Sequence, residues 1–209
     1  MLPYTKNIVN DIKTKMTHSE IEDYFNNKCY FSKSEFGEVI NEFIVFPNHD
    51  ILKIILSSKK YKEHIDCLNE YGEPTIHAML YAIQAVYSVK ELEYRRESFK
   101  SSIISILLDD HFQFNWKLLD QYFDNVLHII FSMDSISTEE IEKLCNRAIQ
   151  FGVNPLNRNI SNDNAFDVLL QSKQNPTFIN HMIGKLGIES DKYIIEIKEN
   201  AYNENEANN

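Results

Sequence analysis

The chain has 209 residues, of which 43% are hydrophobic and 12% aromatic, so it is long enough for one sizeable core or a short repeat array but crowded for two large domains. Only 5 glycines and 5 prolines interrupt it, which favours helices joined by short loops over many strands separated by turns. The formal net charge of -10 repels nucleic-acid backbones and anionic membranes, and we therefore expect neither as a partner.

Cysteine usage and hydropathy indicate a protein that works in a reducing, aqueous compartment. The 3 cysteines, Cys29, Cys67 and Cys145, are odd in number and lack the CxxC spacing of a zinc site or a disulfide framework. No apolar run reaches the roughly 18 residues of a membrane span, and the stretch MLPYTKNIVNDIKTKM lacks the apolar core of a signal peptide. We expect a cytoplasmic monomer without metal or cofactor.

Helix starts are predicted in chain order by capping boxes, each of which pairs a Ser or Thr with a Glu three residues later. The Ser or Thr hydroxyl accepts a hydrogen bond from the Glu amide, and the Glu carboxylate accepts one from the Ser or Thr amide. The boxes are Thr17 with Glu20, Ser32 with Glu35, and Ser137 with Glu140. Each is followed by apolar residues at i, i+3 and i+4 spacing, which is typical of an amphipathic helix. A fourth helix is predicted to begin at Asn175-Pro176 and to end near Gly187.

A short pattern recurs along the chain, with an apolar residue followed by His or Asp, after a polar turn and before an apolar helix. It occurs at Ile76-His77, Leu127-His128 and Phe166-Asp167. A second pattern places a polar or Gly-containing stretch and an Asn after a helix that ends in apolar residues, at Leu107 to Asn115 and at Leu144 to Pro155. Together they resemble the ankyrin repeat, in which Thr-Pro-Leu-His-x-Ala begins the first helix and Gly-Ala-Asp follows the second.

The resemblance implies an all-α array of about four degenerate ankyrin-like repeats behind a helical amino-terminal cap. The cap covers 1–31 and the array 32–187, with repeats near 32–66, 67–115, 116–154 and 155–187. It also implies a structural role for the His128 ring in bonding the turn.

The chain departs from the family in spacing and in two turn residues. The recurring pairs lie 51 (128 − 77) and 39 (167 − 128) residues apart, against about 33 for the family. We expect the extra length of the first interval to extend the helices over Tyr81 to Leu108. Phe123 and Asn162 stand where the family has Gly.

Ankyrin-like repeats imply protein binding, because stacking leaves a concave surface of first helices and turn tips without a built-in catalytic pocket. A non-enzymatic module that binds a protein partner is therefore expected. Trp116 is the only tryptophan and a favoured type of binding anchor, although packing between repeats fits it as well. The predicted contact residues are Glu70, Tyr71, Trp116, Lys117, Gln121, Tyr122, Asn157, Arg158 and Asn159.

The alternative is a small hydrolase or transferase that uses the Cys67 thiolate with His64 or His77 as its base. No family signature surrounds the stretch His64-Ile-Asp66-Cys67, and the chain has no phosphate-binding loop, GxSxG or HExxH motif. The same thiol and imidazoles are three possible metal ligands, but not at an established spacing. The sequence therefore favours the binding module.

The last segment, 188–209, changes to a composition rich in Asn and Glu, and we expect it to end in a disordered acidic tail. Its glutamates resemble the export signals of effectors that intracellular bacteria secrete by type IV systems, a group that includes ankyrin-bearing proteins. These residues are Glu196, Glu199, Glu204 and Glu206. The tail therefore has two interpretations, a plain solvated tail and, as the alternative, the export signal of an effector that binds a host protein in the host cytosol.

Overall fold

The structure, a computed structural model, describes residues 3–46, 48–64 and 67–186. Within these ranges the chain forms eleven α-helices, a π-helical turn and a 3-10 turn, and no strand beyond an isolated bridge between Leu68 and Pro74. The prediction of an all-α protein is confirmed. The predicted helix end at Gly187, the tail 188–209 and Asp66 lie outside the described residues.

The helices, in chain order, are α1 Pro3–Thr14, α2 His18–Asp23, α3 Lys33–Ile44, α4 His49–Leu56, α5 Lys59–Glu63, α6 Thr75–Ser88, α7 Arg96–Leu108, α8 Val126–Ser132, α9 Thr138–Gln150, α10 Ala165–Gln171 and α11 Pro176–Lys185. The π-helical turn, Tyr24–Lys28, follows α2, and the 3-10 turn, Lys90–Arg95, precedes α7.

All four predicted helix starts are confirmed. The side chains of Thr17, Ser32 and Ser137 each accept a hydrogen bond from the amide of the Glu three residues later. That Glu side chain accepts a hydrogen bond from the amide of the Thr or Ser, which completes the capping box at the start of α2, α3 and α9. Asn175 caps α11, whose first residue is Pro176. Such caps satisfy amides that have no partner within the helix, and each stabilises the fold by about 1 kcal/mol.

The long interval between the first two recurring pairs is mostly helix, as expected. Helices α6 and α7 have 14 and 13 residues, whereas α8 and α10 have 7 each. The predicted helical stretch is interrupted, since α6 ends at Ser88 and the 3-10 turn separates it from α7. Helix α9 also has 13 residues, so α7 is not lengthened, and more than half of the added length lies in α6.

The helices pack in two rows. Helices α3, α6, α8 and α10 contact one another in that order, and α4, α7 and α9 form a second row beside them. Helix α11 packs on α10 and is tied to α9, because Lys185 and His181 both bind the Glu142 carboxylate. Each helix of the first row also packs on the helix that follows it in the second row, or on α11 in the case of α10. The described chain therefore contains four successive helical hairpins, α3–α4, α6–α7, α8–α9 and α10–α11.

One continuous apolar core fills the space between the rows. Its largest fully buried side chains are aromatic: Phe25, Phe36, Phe43, Tyr61, Trp116, Phe131 and Phe166. Burial of such side chains is the main force that holds short helices in place, because helices of this length are marginal alone. Among the described residues, no helix has the length and hydropathy needed to cross a membrane.

Candidate interaction surface

Three turns with the same hydrogen-bond geometry precede α6, α8 and α10. We call them turn 1 (69–73), turn 2 (120–124) and turn 3 (159–163). In each, the Oδ1 of the first side chain accepts two backbone amides, from the third and the fifth residue, at 2.8 to 3.0 Å. These first residues are Asn69, Asp120 and Asn159. A single short polar side chain therefore shapes each turn from inside.

The fourth residue of each turn has a left-handed backbone, with φ of 73° at Gly72, 59° at Phe123 and 66° at Asn162. This conformation suits Gly, is tolerated by Asn, and is unfavourable for a bulky residue. Phe123 adopts it although its side chain is 56% exposed and contributes little to the core. Turn 2 is therefore strained at a position where the chain presents an aromatic ring to solvent.

Phe123→Gly is expected to stabilise the protein. A left-handed backbone costs a non-Gly residue about 1 to 2 kcal/mol, and glycine removes this cost. Glycine also makes the unfolded chain more flexible, which lowers the stability by about 0.5 to 1 kcal/mol. We therefore expect a net gain of about 0.5 to 1 kcal/mol in the free energy of unfolding, measured by urea denaturation. Asn162→Gly is the matched control and should gain less, because Asn tolerates this conformation. A loss of stability in Phe123→Gly would mean that the ring packs in the native state.

Turns 2 and 3 are joined to each other through their backbones and side chains. The Ile160 amide donates to the Tyr122 carbonyl at 3.0 Å, and Asn159 Nδ2 donates to Asp124 Oδ1 at 2.8 Å. Turn 1 lies against turn 2, where Gly72 faces the Gln121 side chain. Turns 2 and 3 are therefore joined by hydrogen bonds, and turn 1 lies next to them.

His128 has the structural role that the family resemblance implies. Its ring is buried, its Nδ1 accepts the Asn125 amide at 3.2 Å, and its Nε2 lies 3.1 Å from the Asp163 carbonyl in turn 3. The ring thus closes the cap of α8 and links this helix to the next turn. Asn125 itself donates from Nδ2 to the Asn154 carbonyl at 3.1 Å.

His128→Ala is expected to lower the free energy of unfolding by about 1 to 2 kcal/mol, because it leaves a buried amide and a partly buried carbonyl without this partner. Chemical denaturation followed by circular dichroism measures this. His111→Ala is the control and should cost less, since that ring is exposed. Equal and negligible losses in the two variants would contradict the role assigned to His128.

His77 lies in the first turn of α6, at the position that corresponds to His128 in α8, but its ring lacks these hydrogen bonds. The residue before the helix is Pro74, which has no amide hydrogen to donate. Neither ring nitrogen has a hydrogen-bond partner, and the Leu118 carbonyl nearby is outside hydrogen-bond geometry. Burial lowers the pKa of His77 to about 4, so the ring is neutral at neutral pH.

Seven of the nine predicted contact residues are exposed, four of them in turns 1 and 2 and three in the segments just before turns 2 and 3. Tyr71 and Tyr122 are 58% and 51% exposed. The other exposed members are Glu70, Lys117, Gln121, Asn157 and Arg158.

Two predicted contact residues are placed otherwise. Trp116 is only 1% exposed and stacks on Phe151 with ring centroids 6.0 Å apart, so it is a core residue and not an exposed anchor. Asn159 is half-buried and serves as the acceptor inside turn 3. The tip of this turn therefore lies later in the chain than predicted, at 160–162.

Sequence reasoning missed an apolar feature of the same surface. Seven of the twelve large apolar side chains that are exposed in the described ranges lie in or just before the three turns. We call these seven the tip stripe: Leu68, Tyr71, Leu119, Tyr122, Phe123, Leu156 and Ile160. Aligning the chain on Asn69, Asp120 and Asn159 would have placed most of them at corresponding positions.

The thiol required by the alternative function is not accessible. Cys67 is 1% exposed, and its Sγ lies 3.5 Å from Thr75 Oγ1. Cys29 and Cys145 are also buried, and burial raises the pKa of both thiols. A nucleophile must reach its substrate as a thiolate, so this burial argues against a cysteine-dependent enzyme. Within the described part of the chain, no three His, Cys, Asp or Glu side chains are grouped to hold a metal ion.

Comparisons with known proteins do not assign this chain to a family. No protein-family model, curated protein or solved structure matches it. Its function is therefore inferred from the geometry of the three turns and from the side chains that they expose.

Proposed function

We propose that the chain is a non-enzymatic protein-binding module, an ankyrin-like array that contacts its partner through the tips of turns 1, 2 and 3. The observation that carries this proposal is the tip stripe on three turns of the same geometry. Large exposed apolar patches on a folded chain mark interaction sites more often than scattered apolar residues do. The ankyrin-like arrangement is supported by the shared turn geometry and by the two rows of helices.

The physical properties of the turns suit binding. Hydrogen bonds within and between the turns fix their backbones, so little ordering entropy is lost when a partner docks. Tyrosine, which is prominent in binding hot spots, stands at the third position of both turn 1 and turn 2. The strained backbone at Phe123 also supports the proposal, because the chain has an exposed aromatic ring at a position where glycine would be more stable.

A binding assay with single substitutions tests the proposal. The protein is used as bait in a cell extract, the retained proteins are identified by mass spectrometry, and the affinity of a retained partner is then measured. We expect Tyr122→Ala or Arg158→Ala to weaken binding at least tenfold, about 1.4 kcal/mol, without unfolding the protein. Cys67→Ser should leave the affinity unchanged.

Tyr94→Ala is the matched control, because Tyr94 is 75% exposed and lies in the 3-10 turn, away from the tips. It should bind as well as the unchanged protein. Equal affinities for the Tyr122, Arg158 and Tyr94 variants would contradict the proposed surface. Loss of function in a folded Cys67→Ser variant that still binds would favour the thiol-dependent enzyme instead.

A further inference from the structure

Carboxylates lie in the same three turns as the tip stripe. The fifth residue of every turn is acidic, and all three of these side chains are half-buried: Glu73, Asp124 and Asp163. Asp120, the first residue of turn 2, adds a buried carboxylate that accepts the Tyr81 hydroxyl at 2.9 Å. We call these four residues the acidic row.

Three of the four carboxylates of the acidic row act on one group. Burial raises the pKa of the Tyr81 hydroxyl above its usual value, and neighbouring carboxylates raise it further. These carboxylates are Asp120, Asp124 and Glu73. Turns 1 and 2 therefore place three negative charges around a single half-buried side chain of α6.

No cation of the described chain neutralises the acidic row. None of its four carboxylates forms a salt bridge with a described lysine or arginine. The groups that donate to them are neutral, such as Asn69 Nδ2 to Glu73, Asn159 Nδ2 to Asp124 and the Tyr81 hydroxyl to Asp120.

The two cations near the tips are directed elsewhere. Arg158 donates to the Asn162 carbonyl and approaches the Asp167 carboxylate at 3.5 Å. Lys117 places its amino group beside Gly152, which follows the carboxyl end of α9, where a positive charge is favourable. The negative charge of the acidic row is therefore left for a group outside the described chain.

We propose that the tip stripe binds a basic segment of another protein, in which Lys or Arg side chains alternate with large apolar residues. The inference rests on the proposed function and adds the chemistry of the partner. The apolar side chains pack on the stripe, and the cations reach past it to the acidic row. Partly buried charges are weakly screened, so these pairs contribute more than contacts on an open surface.

Other occupants fit this surface less well. A second copy of the chain would bring acidic row against acidic row, and like charges oppose such pairing. Nucleic acids and anionic membranes would present phosphates to the same carboxylates.

Labelled model peptides test the charge preference directly. One peptide alternates leucine with lysine, a second replaces every lysine by glutamate, and a third replaces every leucine by serine. Fluorescence anisotropy with the full chain should show the leucine-lysine peptide binding at least about tenfold more tightly than either of the others.

Substitutions locate the binding on the molecule. The double variant Glu73→Gln with Asp124→Asn keeps the oxygen atoms that accept amide bonds but removes two charges, and it should weaken the leucine-lysine peptide about tenfold. Tyr122→Ala should weaken it too. Glu22→Gln with Glu93→Gln is the matched control, since both residues are exposed and lie on α2 and the 3-10 turn. It should leave affinity unchanged, and thermal unfolding checks that both double variants fold.

Each unfavourable outcome has a distinct meaning. Equal affinity for the lysine and glutamate peptides would overturn the basic preference while leaving the proposed binding function intact. Equal weakening in the two double variants would overturn the inference as well, because it would show a general attraction to a protein of net charge -10. Absence of binding by the leucine-lysine peptide would also overturn the inference. The proposed function would instead be contradicted if the Tyr122→Ala and Arg158→Ala variants kept full affinity for a captured partner.

Discussion

Trp116→Ala is expected to lower the free energy of unfolding by about 3 to 5 kcal/mol, the usual cost of removing a buried aromatic side chain. The indole is 1% exposed and lies parallel to Phe151, with an interplanar angle of 13°. Its removal leaves a cavity between turn 2 and the end of α9, which the backbone cannot close without breaking turn contacts. Small domains have about 5 to 15 kcal/mol of stability in total, so the variant should be close to unfolding.

Far-ultraviolet circular dichroism in urea measures the effect, because the variant has lost the only tryptophan and with it the natural fluorescence signal. Tyr122→Ala is the control, and a loss within about 0.5 kcal/mol is expected for this exposed position. A loss below about 1 kcal/mol for Trp116→Ala would mean that the indole is not packed in the core and would restore it as a candidate contact residue.

Gly37→Ala is the second substitution with a large expected effect. Gly37 lies in the middle of α3, and a Cβ added there would come within 2.8 Å of the Leu68 carbonyl carbon and closer still to its oxygen. These are backbone atoms just before turn 1, so they cannot rotate away as a side chain would. We expect a loss of about 3 kcal/mol, at the upper end of the usual cost of overpacking.

Gly184→Ala is a matched control in α11, where nothing lies within 4 Å of the added atom. It should stabilise the protein by about 0.5 to 1 kcal/mol, because alanine favours a helix more than glycine does. Thermal unfolding of the two variants in parallel makes the comparison. Similar shifts of the midpoint in both would contradict the close approach of α3 to the chain at Leu68.

Local features of the fold were predictable because the interactions behind them are local. A capping box joins residues three positions apart, so the starts of α2, α3 and α9 could be read directly from the sequence. The scarcity of Gly and Pro and the spacing of apolar residues gave the helical class for the same reason.

Burial at the turns was not predictable, because it depends on distant partners. The sequence allowed Trp116 to be either a binding anchor or a packed residue, and its stacking on Phe151, far along the chain, shows that it is packed. The register of turn 3 was predicted too early, since Asn157, Arg158 and Asn159 are all polar and any of them could stand at a tip. The decisive signal is the spacing from Asn159 to Asp163, which equals that from Asp120 to Asp124.

Equivalent histidine motifs also differ for a reason outside the motif. His77 and His128 both follow an apolar residue at the start of a helix, and both belong to the recurring pattern in the sequence. The residue three positions earlier decides the outcome, because Asn125 has an amide for the ring to accept and Pro74 has none. The acidic row was missed for a similar reason, since its residues come from three separate turns.

In each turn, the residue whose side chain fixes the backbone differs from the residues that are exposed at the tip. Because the side chains of Asn69, Asp120 and Asn159 hold the backbone from within, the residues at the second and third positions are under little structural constraint. Those positions can change in sequence without altering the path of the chain. The exposed side chains of the three tips can therefore evolve, or be engineered, without rebuilding the core.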